Sequence, residues 1–202
     1  MSPFFESLSG ADNAITLAVN GCFSPLTDHL WIIMSHKAIW VPLYVLIIAL
    51  LFSKLGWKRG LVSLLGIALA LLLCDRFSTI VKELTDRLRP CHDNWMLEQG
   101  LRVLERKGSL FGFFSAHSAN AMCLASVSSR FLALSARLAL SRWFGSLIFV
   151  WALLVSVSRI FVGKHFFGDV VVGIVVGLLA GWLIFRLLKP LALRVSRKLL
   201  SL

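Results

Sequence analysis

The chain has 202 residues, room for a single domain. Apolar types make up 58%, or about 64% once the 14 glycines are counted and the tyrosine is not, against about 45–50% in soluble domains. Charged residues are 15%, where about 25% is usual, so soluble, disordered and small secreted classes are excluded and a polytopic membrane protein is indicated. The 21 basic residues outnumber the 10 acidic ones, but they are scattered between apolar segments with no basic stripe, which excludes nucleic acid as a partner.

Residues 1–36 differ from the rest. Phe4, Leu8, Ala11, Ile15, Val19 and Cys22 recur at helical spacing, while Glu6, Ser9, Asp12, Asn13, Thr16 and Asn20 occupy the intervening positions. This pattern predicts an amphipathic helix lying along the membrane interface, with an ordinary bundle helix as the alternative. Asn20-Gly21 and Pro25 then interrupt the pattern before a short second helix through Trp31. Phe4 and Phe5 are followed at once by Glu6 and Asp12 with no basic segment ahead of them, so no cleavable signal is expected.

Five segments, 38–55, 60–80, 115–134, 143–163 and 167–188, are long and apolar enough to be read as spans, each near the roughly 17–25 residues a bilayer requires. The fold class is therefore all-α integral membrane. It comprises one domain over 1–202: interfacial helices over 1–36, a transmembrane core over 38–188 and a basic cytoplasmic tail over 189–202. With the amino terminus outside, the inner side receives Lys54, Lys58, Arg59, Arg130, Arg137, Arg142, Arg186, Lys189, Arg194, Arg197 and Lys198. These 11 basic residues sit in short loops and the tail with no acid among them, which favours that orientation. The connection 80–114 then faces out. The second span has no proline from Gly60 to Leu88, so its helix is expected to overrun the membrane as far as Pro90. Cys74 and Cys123 fall in apolar runs and read as packed thiols, whereas Cys22 and Cys91 lie outside them and are candidates for pairing in an oxidising compartment.

Three stretches on the outer side carry chemistry. Lys82 and Arg89 are seven residues apart, two helical turns, so a continuous helix would aim both cations at one anion; Glu83 and Arg87 would form an i,i+4 pair beside them. Phe114-Ser115-Ala116-His117 opens the third span, where a serine cap and free backbone N–H groups suit a phosphate and His117 can exchange a proton. Ser158-Arg159 closes the fourth span, and His165 stands four residues before Asp169. That spacing lets a carboxylate hold one imidazole nitrogen while the other faces a substrate.

Lys82-x6-Arg89-Pro90, Ser115-x-His117 and Ser158-Arg159-x5-His165-x3-Asp169, in this order and on one membrane face, resemble the signature of the type 2 phosphatidic acid phosphatase family. Phe114 and Ala116 stand where the family usually has proline and glycine. The resemblance implies that His165 is the nucleophile, forming a phosphohistidine, and that Asp169 orients it. It also implies that His117 protonates the leaving oxygen and later activates water, and that Lys82, Arg89, Arg159 and Ser115 bind the phosphate. No metal or other cofactor is implied, and no carboxylate cluster has magnesium-like spacing. Within the family the chain looks most like bacterial lipid A phosphatases. These would remove a lipid phosphomonoester or diphosphate at the periplasmic face of the inner membrane. Undecaprenyl diphosphate phosphatases are the alternative, and a non-enzymatic protein that binds anionic lipid is the alternative of another class. The two histidines and Asp169 argue against the last, because binding an anion needs cations but no nucleophile. Oligomeric state is left open.

Overall fold

The computed structural model describes residues 3–135 and 138–197, with side chains over 7–135 and 143–195. Among the described residues eight α-helices follow one another: α1 Pro3–Gly21, α2 Pro25–Ser35, α3 Val41–Leu55, α4 Trp57–Thr85, α5 Asn94–Glu98, α6 Ala116–Leu132, α7 Leu138–Phe161 and α8 Phe167–Arg197. Among the described residues four helical stretches, Lys37–Leu55, Trp57–Thr85, Trp143–Phe161 and Phe167–Val195, are long and apolar enough to cross a membrane. The remaining expected span is α6. Its 17 residues reach only about 25 Å, and serines dilute its apolar run. It lies in the middle of the bundle against α3, α4, α7 and α8, and Ser118 through Ser128 are buried apart from Asn120. Its serines bond to backbone there, Ser128 Oγ to the Leu124 carbonyl at 2.6 Å and Ser126 Oγ to that of Leu178 at 3.1 Å, so none stays unsatisfied in the apolar core.

Helices α6 and α8 approach most closely because α8 carries glycine at every fourth position. A methyl group at Gly173 would stand 2.6 Å from the Ser115 carbonyl oxygen, and one at Gly181 would stand 2.7 Å from Ser126 Cβ. Gly177 meets the Ala119 carbonyl oxygen more tightly still. Small residues at this spacing let two backbones touch where lipid gives no hydrophobic drive for helix association. The opposite faces are rows of exposed aliphatics, Leu65, Leu69 and Leu72 on α4 and Val175, Leu179 and Leu183 on α8, the surface expected where hydrocarbon is the solvent.

Helix α1 lies across one end of the bundle against α7 and α8. Its polar face turns inward: Thr16 and Asn20 are buried, while Leu8 and Ile15 are exposed. The Asn20 amide donates to the carbonyls of Ile160, Phe161 and Arg102 and accepts from the Arg102 N–H at 2.8 Å. The helix thus satisfies carbonyls at the end of α7 and in the Arg102 loop on one side and leaves apolar side chains exposed on the other.

Helix α4 ends earlier than its sequence suggests. Asp86, in the left-handed region at φ 47°, caps it after Thr85, and the chain turns into an extended segment. Leu88 pairs with Phe111 in an antiparallel bridge, with the Arg89 N–H on the Leu110 carbonyl and the Gly112 N–H on that of Arg87. Arg89 therefore does not share a helical face with Lys82, and Arg87 does not pair with Glu83. Backbone groups ahead of Pro90 find partners across the loop, an alternative a proline-terminated helix could not match. All four cysteines are free thiols, with Cys22 exposed and Cys91 buried, so the expected candidate disulfide is absent.

Candidate active site

The short α7–α8 turn builds the centre of the site. Its bend at Gly163 has φ 75°, and the N–H groups of Lys164 and His165 both donate to the Arg159 carbonyl, at 3.0 and 3.2 Å. That fold-back sets His165 just ahead of α8, whose first turn holds Asp169. His165 Nδ1 lies 3.4 Å from Asp169 Oδ2, and the same oxygen accepts the Phe166 N–H at 3.2 Å. Asp169 Oδ1 accepts from Arg87 Nη1 at 2.8 Å, while the Asp169 carbonyl accepts the Ser115 N–H at 3.0 Å. The starts of α6 and α8 are thereby tied to each other.

Ser115 is the buried N-cap of α6. Its Oγ accepts from the Ser118 N–H at 3.4 Å and from Ser118 Oγ at 3.0 Å. Ala116 begins the helix, and Asp86 is the one non-glycine residue with positive φ among the described residues, so alanine fits here without backbone strain. His117 follows in the first turn and lines a cavity of about 290 Å³ with Ser35, Lys37, Trp40, Asn120 and Trp151. The rest of that wall is mostly apolar side chains from α3, α4, α6 and α7.

Three cations surround the imidazoles. Arg89 is held by the Phe111 carbonyl on Nε at 3.1 Å and by Ser109 Oγ on Nη2 at 2.6 Å. Arg159, only 4% exposed, donates to Ser35 Oγ and lies 3.5 Å from a carboxylate oxygen of Glu105, while its Nε has no protein partner. Lys82 is half-buried at the end of α4, within electrostatic reach of Arg89 and Asp169. The charges of Arg159, Arg89 and Lys82 all act on His165, and those of Arg159, Lys37 and Arg89 act on His117, which also feels His165. The fold thus brings all seven residues expected from the sequence into one neighbourhood. Complete burial, followed by these positive neighbours, holds His165 well below the ordinary histidine pKa. The ring is therefore neutral, and with Nδ1 directed at Asp169 the Nε2 lone pair is left for an electrophile.

Four participants escaped the sequence reading: Arg87, Asp12, Ser35 and Lys37. Arg87 lies inside the Lys82–Arg89 motif and read as a surface partner of Glu83. Asp12 and Ser35 come from the two amino-terminal helices and Lys37 from the head of the Lys37–Leu55 stretch, and their distance in sequence from the motifs gave no signal.

A family model described as the PAP2 superfamily matches residues 60–192, which include every residue of the expected set. The chain belongs to this superfamily. It is an integral membrane phosphatase. A lipid A 4'-phosphatase of Bacteroides thetaiotaomicron is 34% identical over 193 residues, covering 95% of this chain and 83% of the relative. A lipid A 4'-phosphatase of Porphyromonas gingivalis is 29% identical, covering 90% and 74%. Among solved structures, a PAP2-type phosphatidylglycerolphosphate phosphatase of Bacillus subtilis superposes with a TM-score of 0.72 at 28% identity, covering 91% of this chain and 87% of that one. LpxE of Aquifex aeolicus has the same fold, with a TM-score of 0.61 at 21% identity and coverage of 86% and 93%.

The neutral His165 has a consequence for stability. Its pKa is lower folded than unfolded, so its contribution is complete above the unfolded value of about 6.5 and is lost as pH falls toward the folded value. The melting temperature in detergent is expected to fall more steeply between about pH 7 and 5 for the wild type than for His165→Gln. Parallel curves would mean that the buried ring is not the group being titrated.

Proposed function

We propose that this phosphatase removes the 4'-phosphate of lipid A at the periplasmic face of the bacterial inner membrane, through a phosphohistidine at His165. The observation that carries the substrate assignment is the 34% identity, spanning nearly the whole chain, to a lipid A 4'-phosphatase. The largely apolar cavity that reaches His117 supports a lipid over a soluble phosphate, since a hydrocarbon chain has a matching surface beside the reacting group.

In this reading Nε2 of His165 attacks phosphorus as the bond to the sugar oxygen breaks. Asp169 keeps the proton on Nδ1 and stabilises the imidazolium character that develops on the ring. His117, which takes up a proton once the bound phosphate dianion offsets the cations acting on its ring, gives that proton to the departing sugar oxygen, then takes one from a water that attacks the phosphohistidine. That second step frees inorganic phosphate and returns His165 to its neutral form. Lys82, Arg89 and Arg159 neutralise the three oxygens of the phosphoryl group in transit, where positioning and fixed charge are the main sources of rate. The Ser115 hydroxyl and the amino-terminal turn of α6 add donors on the same side.

Two measurements test the reading. Purified protein given lipid A, undecaprenyl diphosphate, phosphatidic acid and phosphatidylglycerol phosphate should release phosphate from lipid A at least about tenfold faster per unit kcat/KM than from the others. Preference for undecaprenyl diphosphate would overturn the substrate and leave the chemistry standing. For the facing of the site, Asp93→Cys in a cysteine-free background should react with a membrane-impermeant maleimide in intact spheroplasts. Reaction only after lysis would place the site on the cytoplasmic side.

A further inference from the structure

The carboxylate that faces His165 is itself held by a chain of contacts leading to the amino-terminal helix. Arg87 Nη1 meets Asp169 Oδ1 at 2.8 Å, and its Nη2 meets Asp12 Oδ2 at 2.6 Å. The other oxygen of Asp12 accepts the Gly168 N–H at 2.7 Å, and Thr16 Oγ1 accepts the Phe167 N–H at 3.0 Å. Helix α1 therefore caps the first turn of α8 and anchors the guanidinium that grips its carboxylate. One face of that guanidinium lies over the Phe166 ring, 4.3 Å from its centroid, with the Phe113 ring at 5.9 Å. Both terminal nitrogens and a flat face of Arg87 are thus engaged by protein. That sets it apart from Lys82, Arg89 and Arg159, whose charges act on the His165 ring.

We propose that Arg87, clamped by Asp12, is a positioning residue that fixes Asp169 so that its second oxygen stays on His165 Nδ1. Asp12 lies outside residues 60–192, so α1 completes the site from beyond the segment that matches the family. The geometry explains the division of labour within one carboxylate. A carboxylate free to rotate could turn either oxygen to Arg87, and a bidentate pairing with the guanidinium would pull it from the imidazole. With Nη2 occupied by Asp12, Arg87 has one nitrogen to offer Asp169, and the Phe166 N–H holds the other oxygen in place. The inference rests on His165 being the nucleophile and is independent of which lipid is the substrate.

The test is a double-mutant cycle on full-length protein, using the lipid phosphate that the wild type hydrolyses fastest. Arg87→Met should lower kcat about 10–100-fold with KM within about twofold, and Arg87→Lys should recover part of the loss. Introduced into Asp169→Asn, Arg87→Met should cost less than about twofold further, since a residue acting through Asp169 has nothing left to hold. Asp12→Asn keeps an acceptor for Gly168 while weakening the clamp; it should lower kcat in the wild type and not in Asp169→Asn. It carries the test if Arg87→Met fails to fold, as judged by melting in detergent. Full additivity with Asp169→Asn, or a raised KM with unchanged kcat, would overturn the proposal and leave the nucleophile assignment intact. Wild-type kcat in Asp169→Asn would overturn both.

Discussion

A carboxylate with no solvent exposure, at the first turn of a membrane helix, is the constraint on which the site depends. Burying Asp169 costs several kcal/mol unless its charge is matched, and each match recruits a different part of the chain. Arg87 comes from the end of α4, the Phe166 N–H and His165 from the α7–α8 turn, and Ser115 binds the same residue's carbonyl from the head of α6. The partially positive amino terminus of α8 favours the charge further. Satisfying one buried anion therefore assembles most of the site, because the groups that can pay its desolvation are the ones that bring the imidazoles and cations together.

This arrangement needs α6 and α8 to be nearly in van der Waals contact, and the glycines of α8 permit it. The two helices start side by side, joined by the Ser115–Asp169 hydrogen bond, and stay close through Gly173, Gly177 and Gly181. With α6 fixed, His117 in its first turn is set against the apolar cavity that it lines. Packing in the middle of the membrane and geometry at its surface are consequently one problem: a bulkier residue at Gly177 would press on the Ala119 backbone and shift His117.

The membrane class and the positions of the long spans were legible because hydropathy is a local property of sequence. The seven expected site residues were also legible as motif residues, set near the ends of α4, α6 and α7 and in the turn into α8, and the fold brings them together. What was not legible depended on contacts between distant segments. The Leu88–Phe111 bridge ends α4 early, and nothing near Asp86 announces a partner some 25 residues on. Helix α1 was read as amphipathic, and its buried Thr16 and Asn20 meet backbone at the ends of α7 and α8 that only the folded bundle presents. Arg87 is the clearest case. Its spacing from Glu83 predicts a surface ion pair worth a few tenths of a kcal/mol, whereas folding offers it two carboxylates and an aromatic face.

The central claim is that His165, neutral and held by Asp169, takes the phosphoryl group covalently. It is tested most directly by mixing the protein with substrate labelled in the phosphate, quenching in alkali within one turnover and mapping the labelled peptide. The account predicts acid-labile, base-stable label on the peptide containing His165 and none in His165→Ala. Label on another residue, or undiminished hydrolysis by His165→Ala, would contradict it.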